Sequence, residues 1–317
     1  MLNFFFERLL SSLITLAIAA VGVFLIVHMI PGDPVMIMLG EAAGGDPETV
    51  ARVTRELGLD KPLLTQFLHW IGNIVQGDFG TSIRSGEPVA EALLLRIPRS
   101  LELILGGLIV AVLLGLPLGV ISARKRDTVI GTLSSTVAVI GFSAPVFVTG
   151  VLLVVCFAVW LQWLPSSGYV AFGDDPWLHL SCLLLPSLAI GINFMGVVAR
   201  VTRASLIDTM RRDYVAMARS KGLSRSRALI RHALPNAMVP VIAIVGIRAG
   251  NLLGGTVIVE ALFDWPGLSS LLVSASFARD YPLMQGSLIS IFALFIVISL
   301  MIDLAQSFFD PRVRAAT

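Results

Sequence analysis

The chain has 317 residues, 56% of them hydrophobic and only 14% charged, with a net charge of +2 and a mean hydropathy of +0.87. A water-soluble domain carries about 25% charged residues, so this composition excludes a soluble globule and makes the lipid bilayer the leading solvent. So small a net charge also argues against a basic nucleic-acid binder.

Six apolar windows reach the length of about 20 residues that crosses a bilayer core. They run over 9–30, 103–122, 132–159, 178–199, 237–259 and 283–302, and only the fifth holds a charge, Arg248. They predict an all-α membrane protein with one six-span domain. Arg8 and Ala17-Ile18-Ala19 give the first window a signal-like start, but it continues to Ile30. That is past the ~7 to 15 residues of a signal core, so a retained span is expected. In the following segment, 31–102, Pro62 suits a helix start with Asp60 as its cap, and Leu63, Leu64, Phe67, Leu68, Ile71 and Ile74 recur at helical steps. Gly77 and Gly80 end the pattern. The result is a short amphipathic helix on the outer surface of the bundle, which either fills gaps between span ends or receives a partner. Gly141 and Pro145 can kink the third span, and Pro186 the fourth. Cys156 and Cys182 lie in apolar runs and read as packing residues.

Orientation follows from Lys and Arg in the connections, since short basic loops stay cytoplasmic. The head, the second-to-third connection, the fourth-to-fifth connection and the tail hold fifteen basic and six acidic residues; the other set holds seven and fifteen. Both termini are therefore expected in the cytoplasm, and 31–102, 160–177 and 260–282 outside.

The chain shows no phosphate-binding loop, because none of Lys61, Lys125 and Lys221 follows a glycine. His28, His69, His179 and His232 are scattered, so no metal site is expected. The membrane serines have no base nearby in sequence, and no catalytic residue is expected. An ion-driven transporter would want acids near the midplane, and no Asp or Glu lies inside a window.

The basic stretch 200–236 is too long for a tight connection and too charged for lipid. Asp213 to Leu223 reads as a short helix ending at Gly222; Ser224 caps a second helix running through Arg231 and Ala233, which Pro235 is expected to stop. Two short helices with a glycine hinge make a knob that can seat in a groove of another protein. On composition alone, binding to anionic lipid heads remains open.

The spacing Ala216-Met217-Ala218, three residues, Gly222, then eleven residues to Leu234-Pro235 resembles the cytoplasmic coupling loop of ATP-binding-cassette importer permeases. Ala216 stands where that loop usually has Glu, and His232 where it has Ile. From end to end the chain is similar to the dipeptide, oligopeptide and nickel permease family. The matching pieces are Pro31-Gly32-Asp33-Pro34, Leu57 to Leu63, Gly77-Asp78-Phe79-Gly80, Pro117-Leu118-Gly119 and Tyr214 to Leu223. They continue with Gly254 to Glu260, Trp265-Pro266-Gly267-Leu268, Arg279-Asp280-Tyr281-Pro282 and Asp310-Pro311-Arg312.

The resemblance implies a type I importer permease in a bacterial inner membrane, a half-pore working with four partners. These are a second similar permease, two cytoplasmic ATPases that bind the ATP and Mg, and an extracytoplasmic solute-binding protein. It implies inward movement of di- or oligopeptides, glutathione included, or alternatively of a nickel chelate. Asp213, Tyr214, Ala216, Ala218, Arg219, Lys221, Gly222, Leu223, Leu234 and Pro235 would then meet the ATPase. For the path, Arg248 in mid-span either lines the substrate route or is satisfied structurally. Gly246, Gly250, Gly254 and Gly255 form a small-residue side that either packs helices or borders a moving seam. Glu260 completes the candidate path residues.

Overall fold

The computed structural model describes residues 2–29, 35, 47–56 and 60–309. Pro31 to Pro34, Leu57 to Leu59 and Asp310 to Arg312 lie outside them. The described residues form α1 (Leu2–Met29), α2 (Pro47–Glu56), α3 (Leu63–Val75), α4 (Val89–Arg124), α5 (Val129–Ser143) and α6 (Val146–Leu153). After these come α7 (Pro176–Met210), α8 (Asp213–Ser220), α9 (Arg225–Ala228), α10 (Leu234–Gly255), α11 (Val257–Leu262), α12 (Leu268–Ala278) and α13 (Tyr281–Phe309). Among them, Phe6–Met29, Val89–Arg124, Pro176–Met210, Arg225–Gly250 and Tyr281–Ile302 are long and apolar enough to cross a membrane. A sixth crossing is available if α5 and the stretch Val146–Trp160, which begins with α6 and is bent by 103° to α5, count as one.

The bend has a local cause. Pro145 drives Ala144 out of the helical region, to φ −75° and ψ 129°. Asn193 on α7 donates its side-chain N–H to the Ala144 carbonyl at 2.8 Å, satisfying an acceptor that the broken helix leaves bare. Past α6 the chain widens into a π-helix over Val154–Trp160.

Contacts divide the chain into two compact units, the first mainly Leu101–Trp265 and the second Phe6–Ser100 with Pro266–Ile296. In the first, α7 is the central helix: 67% of its apolar window is buried, against at most 28% in the other long spans. Asp175 caps it, its carboxylate accepting the backbone N–H of Trp177 and Leu178 at 3.0 Å, with Pro176 opening the first turn. Glycines let its neighbours close in. A Cβ at Gly119, in the Pro117-Leu118-Gly119 motif, would lie 2.6 Å from Thr202 Cβ, and one at Gly141 would lie 2.9 Å from the Ile192 carbonyl oxygen. Thirty-five residues make α7 about 52 Å long at ~1.5 Å per residue, well beyond the ~30 Å hydrocarbon core. Its last turns therefore run on to carry the 211–233 segment. At its other end His179 is buried against Tyr169, Phe172 and Trp265, with Nδ1 2.7 Å from the Val170 carbonyl.

In the second unit α3 lies on α1 through its apolar side: Phe67 and Trp70 stack at 5.4 and 5.8 Å from Phe24. Asp60 does not cap α3 as expected. Pro62 takes the cap position without a side-chain bond, and the Gln66 amide reaches back to the Lys61 carbonyl at 2.8 Å instead. Gly77 (φ 84°) ends the helix. A loop then closes on itself as Val89 N–H donates to the Gly80 carbonyl and Ser82 N–H to the Glu87 carbonyl. Ser100 in α4 accepts the Leu268 N–H at 2.7 Å, which fixes the start of α12 just after Trp265-Pro266-Gly267.

Candidate functional site: the 211–237 knob

Arg211 turns the chain out of α7, and Asp213 opens α8 with its carboxylate at the positive end of the helix. Val215 is the anchor. It is fully buried with Leu206, Ala228, Ala233 and Ala237, and Val120, Ala123, Met210 and Leu234 pack around them. The alanines matter here, because helices meet this closely only where side chains are small. Ser205 Oγ on α7 donates to the Ala237 carbonyl at 3.0 Å and ties the far side of the knob to the same helix.

The hinge forms as the sequence predicts. Gly222 adopts φ 93°, a conformation costly for any residue with a Cβ, and its own N–H donates to the Arg219 carbonyl at 2.9 Å. Ser224 caps α9, its hydroxyl accepting the Arg227 N–H at 3.4 Å. Pro235 does not stop the chain, which differs from the expectation. A π-turn over Leu229–Ala233 intervenes, with Leu234 N–H bonded to the Leu229 carbonyl. Pro235 then falls in the first turn of α10, where its missing N–H costs little. The Asn236 amide donates to the His232 carbonyl at 2.8 Å and satisfies one of the acceptors left over.

Of the expected coupling residues, Asp213, Tyr214, Ala216, Arg219, Lys221, Gly222 and Pro235 are exposed, while Ala218, Leu223 and Leu234 are half-buried. The sequence reading missed the apolar character of the outer face. Tyr214 is 44% exposed, Met217 61% and Ile230 64%. The i, i+3 spacing of Tyr214 and Met217, on a helix whose buried face is held by Val215, is the signal that could have revealed it. An exposed apolar pair beside the small Ala216, rimmed by arginines, is the composition of an interface core.

The candidate path residues do not gather on one surface. Arg248, Gly254 and Gly255 are exposed, and a Cβ at Gly254 or Gly255 would meet nothing within 4 Å. Gly246 differs: it packs against Ile302, whose Cγ1 would lie 2.9 Å from an added Cβ. Glu260 is 1% exposed and accepts a hydrogen bond from Thr256 Oγ1 at 3.0 Å, so it braces the turn between α10 and α11 rather than facing an open route. Among the described residues no group of three or more His, Cys, Asp or Glu could hold a metal.

Residues 115–315 match the family described as binding-protein-dependent transport system inner membrane component, and residues 1–104 match that family's N-terminal component. The chain is 42% identical over 314 residues to the glutathione transport system permease protein GsiC of Escherichia coli strain K12, with 99% of each chain covered. GsiC of Salmonella typhimurium strain LT2 is similar to the same degree. A chain of the methionine ABC transporter MetNI, solved in inward-facing conformations, shares the fold with a TM-score of 0.51 at 18% identity, covering 71% of this chain and 96% of that one. With these likenesses, the chain belongs to the binding-protein-dependent inner membrane components, as the permease subunit of an ABC importer.

Proposed function

We propose that this chain forms half of the pore of an ATP-driven importer that moves small peptides, glutathione among them, into the cell. The observation that carries the substrate class is the full-length identity of 42% to permeases named for glutathione transport. The distribution of Lys and Arg supports a cytoplasmic knob and cytoplasmic termini. In this reading α8 sits in a groove of a partner ATPase. Tyr214 and Met217 fill it, Ala216 permits close approach, and Gly222 gives the bend through which closure of two ATPases, holding ATP and Mg, turns α7 and the spans packed on it. The exposed positions Arg248, Gly254 and Gly255 meet the second permease or the passing substrate, and a guanidinium at 248 suits the peptide carboxylate. Selection rests largely on a separate solute-binding protein outside.

The test is ATP-dependent uptake into vesicles holding the four-subunit complex, with labelled dipeptides, glutathione and nickel compared for each candidate binding protein. Uptake of glutathione or dipeptides that requires ATP is the expected result. Uptake of nickel chelate alone would replace the substrate class, and uptake that follows an ion gradient without ATP would overturn the mechanism.

A further inference from the structure

Beside the knob, a cleft of about 170 Å³ opens between the C-terminal ends of α4 and α7 and the start of α9. Five arginines line it: Arg124, Arg126, Arg211, Arg219 and Arg225. No acidic residue does. Among the described residues, the only ion pair any of them makes is Arg126 with the exposed Asp127, at 3.4 Å, while Arg124 spends one N–H on Ser226 Oγ at 3.0 Å. The remaining lining is apolar, with Leu206, Ile207 and Met210 of α7 on the side toward the span. One turn deeper along α7 from Ile207, the buried Nε of Arg203 has no hydrogen-bond acceptor.

Five like charges around so small a volume repel one another unless an anion joins them. Planar guanidinium groups match phosphate oxygens with paired N–H donors. The apolar wall continuous with a membrane-spanning helix matches the glycerol and upper acyl region that a free anion lacks. Resting on the proposed orientation, which puts these helix ends at the cytoplasmic surface, we infer that the cleft binds a phosphate group, supplied by the headgroup of an anionic phospholipid of the inner leaflet. Such a lipid would wedge between α4, α7 and α9 and stiffen the base from which the knob projects.

The test uses the intact four-subunit complex in detergent, titrated with dihexanoyl phosphatidylglycerol, dihexanoyl phosphatidylcholine and inorganic phosphate, with bound molecules counted by native mass spectrometry. Arg219 stays untouched, since it belongs to the proposed ATPase contact. Wild type is expected to hold one phosphatidylglycerol per copy of this chain. In R126Q/R211Q/R225Q its affinity should fall at least tenfold, whereas R126K/R211K/R225K, which keeps the charge but loses the paired N–H donors, should fall by less. Equal binding of phosphatidylcholine, or phosphatidylglycerol binding unchanged by the glutamines, overturns the site. Inorganic phosphate binding as tightly as the lipid overturns the lipid source and leaves the free anion as ligand. Loss of the ATPases from the glutamine variant with lipid binding unchanged means that the arginines face protein carboxylates. Uptake and ATPase retention in wild type, measured on the same preparations, report separately on the permease reading.

Discussion

Ser82 donates its hydroxyl to Asp280 at 2.5 Å across 198 residues of chain, and both side chains are buried. The same carboxylate accepts the backbone N–H of Arg84 at 3.4 Å and of Leu283 at 3.3 Å, so it caps α13 while holding the 80–89 loop. Replacing Asp280 with Ala strands three donors at once, and a loss of about 3 kcal/mol is expected. Ser82→Ala leaves the carboxylate its backbone donors and should cost about 1 kcal/mol. Thermal unfolding of the purified complex carrying each variant checks the order; a larger loss for Ser82→Ala would refute the hub role of Asp280.

Gly222 has open space around it, since a Cβ there would meet nothing within 4 Å. Any penalty for Gly222→Val is therefore one of backbone conformation at φ 93°, of the order of 1 to 2 kcal/mol, rather than of a clash. The permease should still insert and assemble, while ATP hydrolysis loses its link to uptake. Asn tolerates left-handed backbone better than Val, so Gly222→Asn should recover most of the transport. Uptake in Gly222→Val equal to wild type would remove the hinge from the coupling mechanism.

Val215 is the counterpart on the inner face of α8. Truncation to Ala removes buried methyl groups from a small, alanine-rich cluster that has little else to fill it, at a cost of about 2 kcal/mol. The expected outcome is an intact set of spans with a loosened knob, read as faster hydrogen exchange confined to 211–233 and weaker retention of the ATPases on purification. Met217→Glu leaves the same cluster alone, because Met217 lies outward. It should weaken ATPase retention with no change in exchange, which separates a folding defect from a contact defect.

The spans, the glycine hinge and the Ser224 cap were legible because each follows from local rules: an apolar run, a residue that tolerates positive φ, a hydroxyl before a helix. Three features were not. Pro235 was expected to end a helix, yet a π-turn five residues long moves it into a first turn, and nothing in the residues 229–233 announces a wider backbone spacing. At Pro145 the kink was legible but its satisfaction was not: Asn193, 49 residues from Ala144, donates to the carbonyl that the 103° break leaves bare. The burial of Glu260, a candidate path residue, was not legible either: Thr256, one turn earlier, donates a hydrogen bond to its carboxylate.

The glycines of α10 share a helix and differ in what surrounds them, which allows a controlled comparison. Gly246→Ala pushes a Cβ into Ile302 within this chain and should destabilise it. Gly254→Ala meets nothing in this chain and, by helix propensity alone, should be neutral or stabilising by up to about 1 kcal/mol. If the Gly254 face abuts a second permease or the substrate route, uptake should nonetheless fall, and Gly254→Leu should abolish it while the isolated chain remains as stable as wild type. Arg248 is exposed at another position of α10, and Arg248→Ala predicts lower uptake with unchanged subunit assembly. Full transport activity in both Gly254→Leu and Arg248→Ala would show that these exposed positions of α10 face lipid and would exclude them from the path. Reduced assembly in both, with uptake per assembled complex unchanged, would place the second permease there and leave the substrate elsewhere.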